Sequence, residues 1–310
     1  MIYSNRQFHP GLRVAASRRL GFAPTTFRRN AQSIGVEESL WFGQISTTWP
    51  LLTTIHSRLT LGTSYDVTAF RRLSTLTFAP DDFGVVFPED GRLTSLRSSL
   101  TFSNTRSNLN SISTEEGGRV SVGIRFEDPY LGSDRSALTG TISHTQFIEN
   151  PWIDRHVLAW RFFSGYGKTS SANRSLFSAG GLPRRDLVID FINERLGFDA
   201  LLRGFPVRPL VGNAIASATL EYRFPILDIE SGLYTLPLFI RTLHAATFVD
   251  SAALADKPKD LTDNVFASAG FELRLGLVLG YFRGANVRVG YAHAIGEDAQ
   301  NVYLVLGQSF

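Results

Sequence analysis

The chain has 310 residues, 43% hydrophobic and 19% charged, with a formal net charge of +3. That composition excludes a disordered chain, and so small a charge gives no footing for a nucleic-acid partner. The absence of cysteine excludes disulfides, thiolate zinc sites and cysteine nucleophiles, and no run of about 18 apolar residues occurs to cross a membrane as a helix.

The elements in chain order are strands. In "RLTLGTSYD", Leu59, Leu61 and Tyr65 oppose Arg58, Thr60, Ser64 and Asp66. In "SLRSSLTF", Leu96, Leu100 and Phe102 oppose Arg97, Ser99 and Thr101, and "RVSVGIRF" sets Val120, Val122, Ile124 and Phe126 against Arg119, Ser121 and Arg125. The same period of two runs through "ATLEYRF", "AGFELRL" and "VRVGYA". Such alternation means strands with one apolar and one polar face. About twelve are predicted, over 10–21, 34–48, 52–69, 92–107, 118–128, 136–148, 154–166, 212–225, 236–250, 264–277, 285–294 and 301–310. Short connections are expected at 49–51, 149–153 and 282–284. The long ones, at 70–91, 167–211 and 251–263, fall mostly at one end of the sheet. Only 187–198 has spacing mixed enough for a helical turn, inside a loop. No linker is visible, so residues 1–310 read as one domain.

Two all-β architectures fit this pattern. A soluble sandwich turns its apolar face to a core; an outer-membrane barrel turns it to lipid and lines a lumen with the polar face. Three features favour the antiparallel transmembrane barrel. The polar face carries Arg and Glu together with Gly and Ser, as a wet lumen would. Aromatics (Trp41, Trp49, Trp152, Trp160, Tyr234, Tyr281) lie near strand ends, and loop length alternates between the two ends. Basic residues are nearly all arginine, with Lys168, Lys257 and Lys259 the only lysines. That bias fits either a GC-rich genome or a need for guanidinium forks paired with carboxylates in a confined space.

The sequence ends "NVYLVLGQSF", placing Val302, Leu304, Leu306 and Phe310 on one face. It looks like the C-terminal signal strand of bacterial outer-membrane proteins, which is recognised by strand addition. "SLFSAGGLPRRD", then "LLRGFP" and "EYRFPI", then Phe248-Val249-Asp250, "SAGFELRL" and Gly307 to Phe310 stand in an order that resembles the BamA/TamA superfamily, the bacterial surface antigen family. The matches cover about 135 residues; the first 115 carry compatible strands without a motif.

The resemblance implies a sixteen-stranded outer-membrane barrel in a Gram-negative bacterium, of which about twelve strands are visible. It implies periplasmic POTRA modules, absent from this chain, so the C-terminal portion of a longer protein is expected. The opening residues likewise hold no apolar signal core. The family's long loop folds back into the barrel, which assigns insertion to Arg203, a tight turn to Gly204 and packing to Phe205. Asp250 is its best-matched acidic partner, with Glu272 and Glu221 as wall carboxylates inferred from alternation. The implied function is a non-enzymatic factor for assembly or translocation of outer-membrane or secreted polypeptides, with outer-membrane lipid, client chains and periplasmic modules or lipoproteins as partners. Alternatives are the anchor barrel of a secreted enzyme such as a patatin-like phospholipase, and a soluble β-sandwich binding module.

No other site is expected. There is no Gly-x-Ser-x-Gly elbow. The six histidines show no ligand spacing, so no metal is predicted. The acidic loop 251–263 lacks EF-hand spacing, and no cofactor motif appears.

Overall fold

The computed structural model describes residues 2–5, 10–24, 26–27, 35–72, 85–86, 90–107, 111–170, 175–181, 199–205, 210–232, 234–280 and 283–307. In the N-terminal half the strands are β1 (Ile2–Asn5), β2 (Gly11–Pro24), β3 (Thr26–Phe27), β4 (Gly35–Thr53), β5 (Arg58–Arg72), β6 (Val85–Val86), β7 (Gly91–Ser103), β8 (Gly117–Glu127) and β9 (Ala137–Glu149). The rest are β10 (Val157–Thr169), β11 (Phe177–Gly180), β12 (Ala200–Leu201), β13 (Leu210–Gly212), β14 (Ala214–Gly232), β15 (Leu238–Ala255), β16 (Val265–Leu279), β17 (Arg283–Ile295) and β18 (Gln300–Gly307).

Thirteen of these form one sheet, ordered β1-β2-β4-β5-β7-β8-β9-β10-β14-β15-β16-β17-β18. Every neighbouring pair in it is antiparallel, and β1 apart, they are the twelve strands expected from alternation. No ladder joins β18 to β1 or β2 among the described residues.

The direction of the apolar face separates the two candidate architectures. Trp41, Ile45, Ile124, Leu220, Phe271 and Val302 are exposed, Val302 at 72%, while Asp250 and Glu272 on the other face are 1% exposed. A soluble sheet would bury the first set and hydrate the second. This inverted surface is that of a barrel with lipid outside and a polar lumen.

Two connections differ from the sequence reading. The turn expected at 49–51 is strand: β4 runs through Pro50 to Thr53, and the register shifts between Pro50 and Leu52. A bulge tolerates a residue without an amide hydrogen, so proline there does not end the strand. The real turn is Thr54–Ser57, closed by Thr54 N–H donating to Ser57 O at 2.8 Å. The connection read as one open loop over 167–211 contains β11 to β13, which form their own small sheet. The candidate helical turn at 187–198 lies outside the described residues, as do Tyr281 and Phe310. Trp49, Trp152 and Tyr234 do sit at the short-turn end, whereas Trp41 is six residues inside β4 and Trp160 three inside β10.

Packing is concentrated inside the sheet, beneath the loop between β10 and β14. Leu176, Phe177, Leu202 and Phe205 from that loop pack against Ile215, Ala252, Leu254 and Ala294 of the wall. Ala252 and Ala294 are small where the loop occupies the volume that larger side chains would otherwise fill.

Candidate functional site

The site is the place where this loop enters the lumen. Alternation brings three inward rows of β14 to β18 together at one level. In the first, Thr219 pairs with Asp250 and Asp250 with Ser268. In the second, Glu221 pairs with Phe248 and Phe248 with Gly270. In the third, Arg223 pairs with Ala246, Ala246 with Glu272, and Glu272 with Gly290. Three carboxylates thus face a hole walled by alanine, glycine and serine.

Arg203 fills it. Its Nη2 donates to Asp250 Oδ1 at 2.7 Å and its Nε to Asp250 Oδ2 at 2.8 Å, a bidentate pair. Its Nη1 donates to Glu221 Oε1 at 2.9 Å and to Glu272 Oε1 at 3.1 Å. The guanidinium carbon lies 3.3 Å from the centre of the Phe248 ring, whose Cζ comes close to the bare Cα of Gly270. Such planar, multidentate recognition over an aromatic face needs arginine; lysine offers one point charge.

Each carboxylate is satisfied further. Thr219 Oγ1 donates to Asp250 at 3.0 Å. Arg223 Nε donates to Glu221 at 2.9 Å and Arg274 Nε to Glu272 at 2.7 Å. Arg274 Nη2 also reaches Glu221 at 3.1 Å. Tyr303 O–H donates to Glu272 Oε1 at 2.6 Å, its ring seated over Gly290. Three arginines hydrogen-bond three carboxylates here, a fourth guanidinium, Arg288, is buried beside them and coupled electrostatically to Glu272, and the ions are buried. A buried charge is tolerable only when paired and hydrogen-bonded in this way.

The loop tip fits as closely as its charge. A Cβ on Gly204 would lie 2.7 Å from the His293 carbonyl carbon, 2.7 Å from Ser268 Cβ and 2.9 Å from Ala294 N. Phe205 packs edge-on to Phe266 with centroids 5.8 Å apart. Asn301 of β18 donates to Arg203 O at 3.2 Å. Behind the tip, Phe177 of β11 lies over Gly165 of β10 and Leu176 over Gly167. Two glycines in one strand thus leave a bare strip on which the loop rests. Gly165→Val therefore drives a side chain into Phe177 and, by overpacking, costs about 1–3 kcal/mol. The expected readout is faster proteolytic cleavage between β10 and β14 at unchanged strand content; wild-type cleavage would show that the loop does not depend on that contact.

The structure gathers Arg203, Gly204, Phe205, Asp250, Glu221 and Glu272 in one place. Leu304 faces outward on β18, 49% exposed, in register with Val289; Leu306 pairs with Val287 and Gly307 with Asn286. Sequence reasoning did not assign Arg223, Arg274, Phe248, Thr219 or Tyr303 to the site. A signal for two of them was present: Glu221-x-Arg223 and Glu272-x-Arg274 put acid and base two apart, on one face of a strand. Among the described residues, no group of histidine and carboxylate side chains could hold a metal ion.

The sequence matches the model of the Omp85 superfamily domain over residues 18–310. Among solved structures, BamA from Haemophilus ducreyi lacking POTRA domains 1-3 is similar, with TM-score 0.58 and 16% identity, over 96% of this chain and 59% of that one. CdiB from Escherichia coli is similar with TM-score 0.61 and 13% identity, over 96% of this chain and 50% of that one. A search of curated proteins gives no match. At these identities the structures speak to fold alone, and this chain spans between half and three-fifths of their length. A family match that begins within β2 and runs through the last residue, on an antiparallel sheet whose apolar face looks outward, makes this chain a member of the Omp85 superfamily.

Proposed function

We propose that the chain serves in the outer membrane of a Gram-negative bacterium to insert or translocate client polypeptides, without bond chemistry. The observation that carries this reading is the placement of the Arg203 anchor. It joins the long loop to β14, β15 and β16, and through Asn301 and Tyr303 to β18. The loop and the last strand of the sheet therefore share one set of ions, so a strand exchanging at β18 and a movement of the loop would be felt by each other. Among the described residues β18 has one ladder partner, β17, and an edge strand is a template for strand addition. In this reading Arg203, Gly204 and Phe205 hold the barrel in its competent state, and outer-membrane lipid and periplasmic modules or lipoproteins are partners.

The test is client folding. Vesicles carrying the refolded chain receive a urea-denatured eight-stranded outer-membrane barrel, and folding of that client is followed by its heat-modifiable migration in gels. Vesicles with the chain are expected to fold the client faster than empty vesicles, and a chain whose loop is freed by Arg203→Ala to lose the gain. Equal rates with and without the wild-type chain would overturn the proposal.

A further inference from the structure

We propose that the inner wall carries a strip that attracts small anions, running from the short-turn mouth to the Arg203 anchor. The strip follows from register. Arg58 lies opposite Ser103, Ser103 opposite Arg119, and Arg119 opposite Thr145. Thr145 in turn lies opposite Arg161, Arg161 opposite Thr219, and Thr219 opposite Asp250. The row begins at the first residue of β5, beside the Thr54–Ser57 turn, and climbs across seven strands to the carboxylate that holds Arg203.

The three arginines face the lumen. Their strand neighbours Val120 and Phe162, with Phe102 and Leu220 on the partner strands, are exposed on the lipid face, and alternation turns Arg119 and Arg161 the other way. Arg58 and Arg119 are exposed to the lumen solvent; Arg161, also exposed, lies in the field of Glu221 and Asp250, and Arg203, Arg223 and Arg274 are buried among carboxylates. They recur on every second strand, about 10 Å apart. That is close to the Debye length of about 10 Å at 0.1 M salt, so their fields overlap.

What flanks Arg58 and Arg119 is polar and uncharged. One step toward the long loops, Thr60 pairs with Thr101, Thr101 with Ser121, and Ser121 with Ser143; the Thr101 and Ser121 hydroxyls are 2.9 Å apart. From Arg58 to Thr145 neither row holds a carboxylate. At the upper end Asp199 and Glu221 share with Arg161, Arg203 and Arg223 a cavity of about 80 Å³. Glu221 and Asp250 are engaged there by arginine, and Asp199 accepts from Ser178 N–H at 2.9 Å. Exposed guanidinium groups beside hydroxyl donors, on a stretch of confined wall without carboxylates, concentrate small anions such as chloride, phosphate or free carboxylates.

The cysteine-free chain allows a direct test. Thr145→Cys places one thiol between Arg119 and Arg161, and Thr262→Cys places a reference thiol on the exposed turn between β15 and β16. Each is reacted with an anionic sulfonatoethyl and a cationic trimethylammonioethyl methanethiosulfonate. The anionic-to-cationic rate ratio at position 145 is expected to exceed that at 262 by about tenfold, and to fall toward equality in about 1 M salt. Arg119→Gln alone should cut the excess about threefold, and Arg58→Gln with Arg161→Gln added should abolish it. Equal ratios at the two positions, or an excess that Arg119→Gln leaves unchanged, would overturn the proposal.

Discussion

Arg203→Ala is expected to lower the stability of the folded chain by about 3–5 kcal/mol, the cost of removing one partner from a buried ion network. The size follows from what stays behind. With Arg203 gone, Asp250 loses its bidentate partner and Glu221 and Glu272 each lose a donor, in a place where Asp250 and Glu272 are each 1% exposed. Asp250 suffers most, because both of its oxygens take guanidinium hydrogens from Arg203. Arg203→Lys should restore little: an ammonium cannot bridge Asp250 on one side and Glu221 and Glu272 on the other. Asp250→Lys should destabilise at least as much. The measurement is the urea midpoint of heat-modifiable migration in detergent. Arg155→Ala is the control, since the Arg155–Asp228 pair is also bidentate but 28% and 49% exposed, and exposed pairs contribute about 0–1 kcal/mol. If Arg203→Ala moves the midpoint no further than Arg155→Ala, the network does not hold the barrel.

The strands were legible because a period of two survives in either solvent; which face is wet was not, because lipid and a protein core select the same residues. That ambiguity is resolved by the exposure of Val302 and Ile124 set against the burial of Glu272, a property of three dimensions. Pro50 misled for a definite reason: proline next to tryptophan reads as a break, and only the register with β5 shows that the missing amide falls at a bulge. The arginine of the loop was visible through resemblance, and its best partner, Asp250, through the Phe-x-Asp that accompanies it. The rest of the network was readable only in part. Arg223 and Arg274 carry the two-residue spacing from their glutamates. Tyr303 and Phe248 carry no such mark, because their places depend on Gly290 and Gly270 lying opposite them across a ladder. The resting place of the loop on Gly165 and Gly167 was hidden in the same way, since a glycine in a strand reports only that something approaches, not what.

Gly204→Ala separates shape from charge at this site. The substitution alters no ion, yet the added carbon would meet the carbonyl carbon of His293 and the amide nitrogen of Ala294, both backbone atoms of β17 within a paired ladder. Backbone in a sheet cannot yield by several tenths of an ångström without breaking register with β16 and β18, so the loop tip must lift instead. Lifting carries Arg203 away from Asp250 and leaves the carboxylates as exposed to imbalance as if the arginine were absent. The expected result is therefore a loss approaching that of Arg203→Ala, well above the roughly 1–3 kcal/mol of ordinary overpacking, together with rapid cleavage of the loop between β10 and β14. In the double variant the two losses should fail to add, because a tip already lifted has no ion pair left to lose. Additive losses would mean that Gly204 and Arg203 act on separate parts of the fold, and that the fit of the turn is not what delivers the guanidinium to its carboxylates.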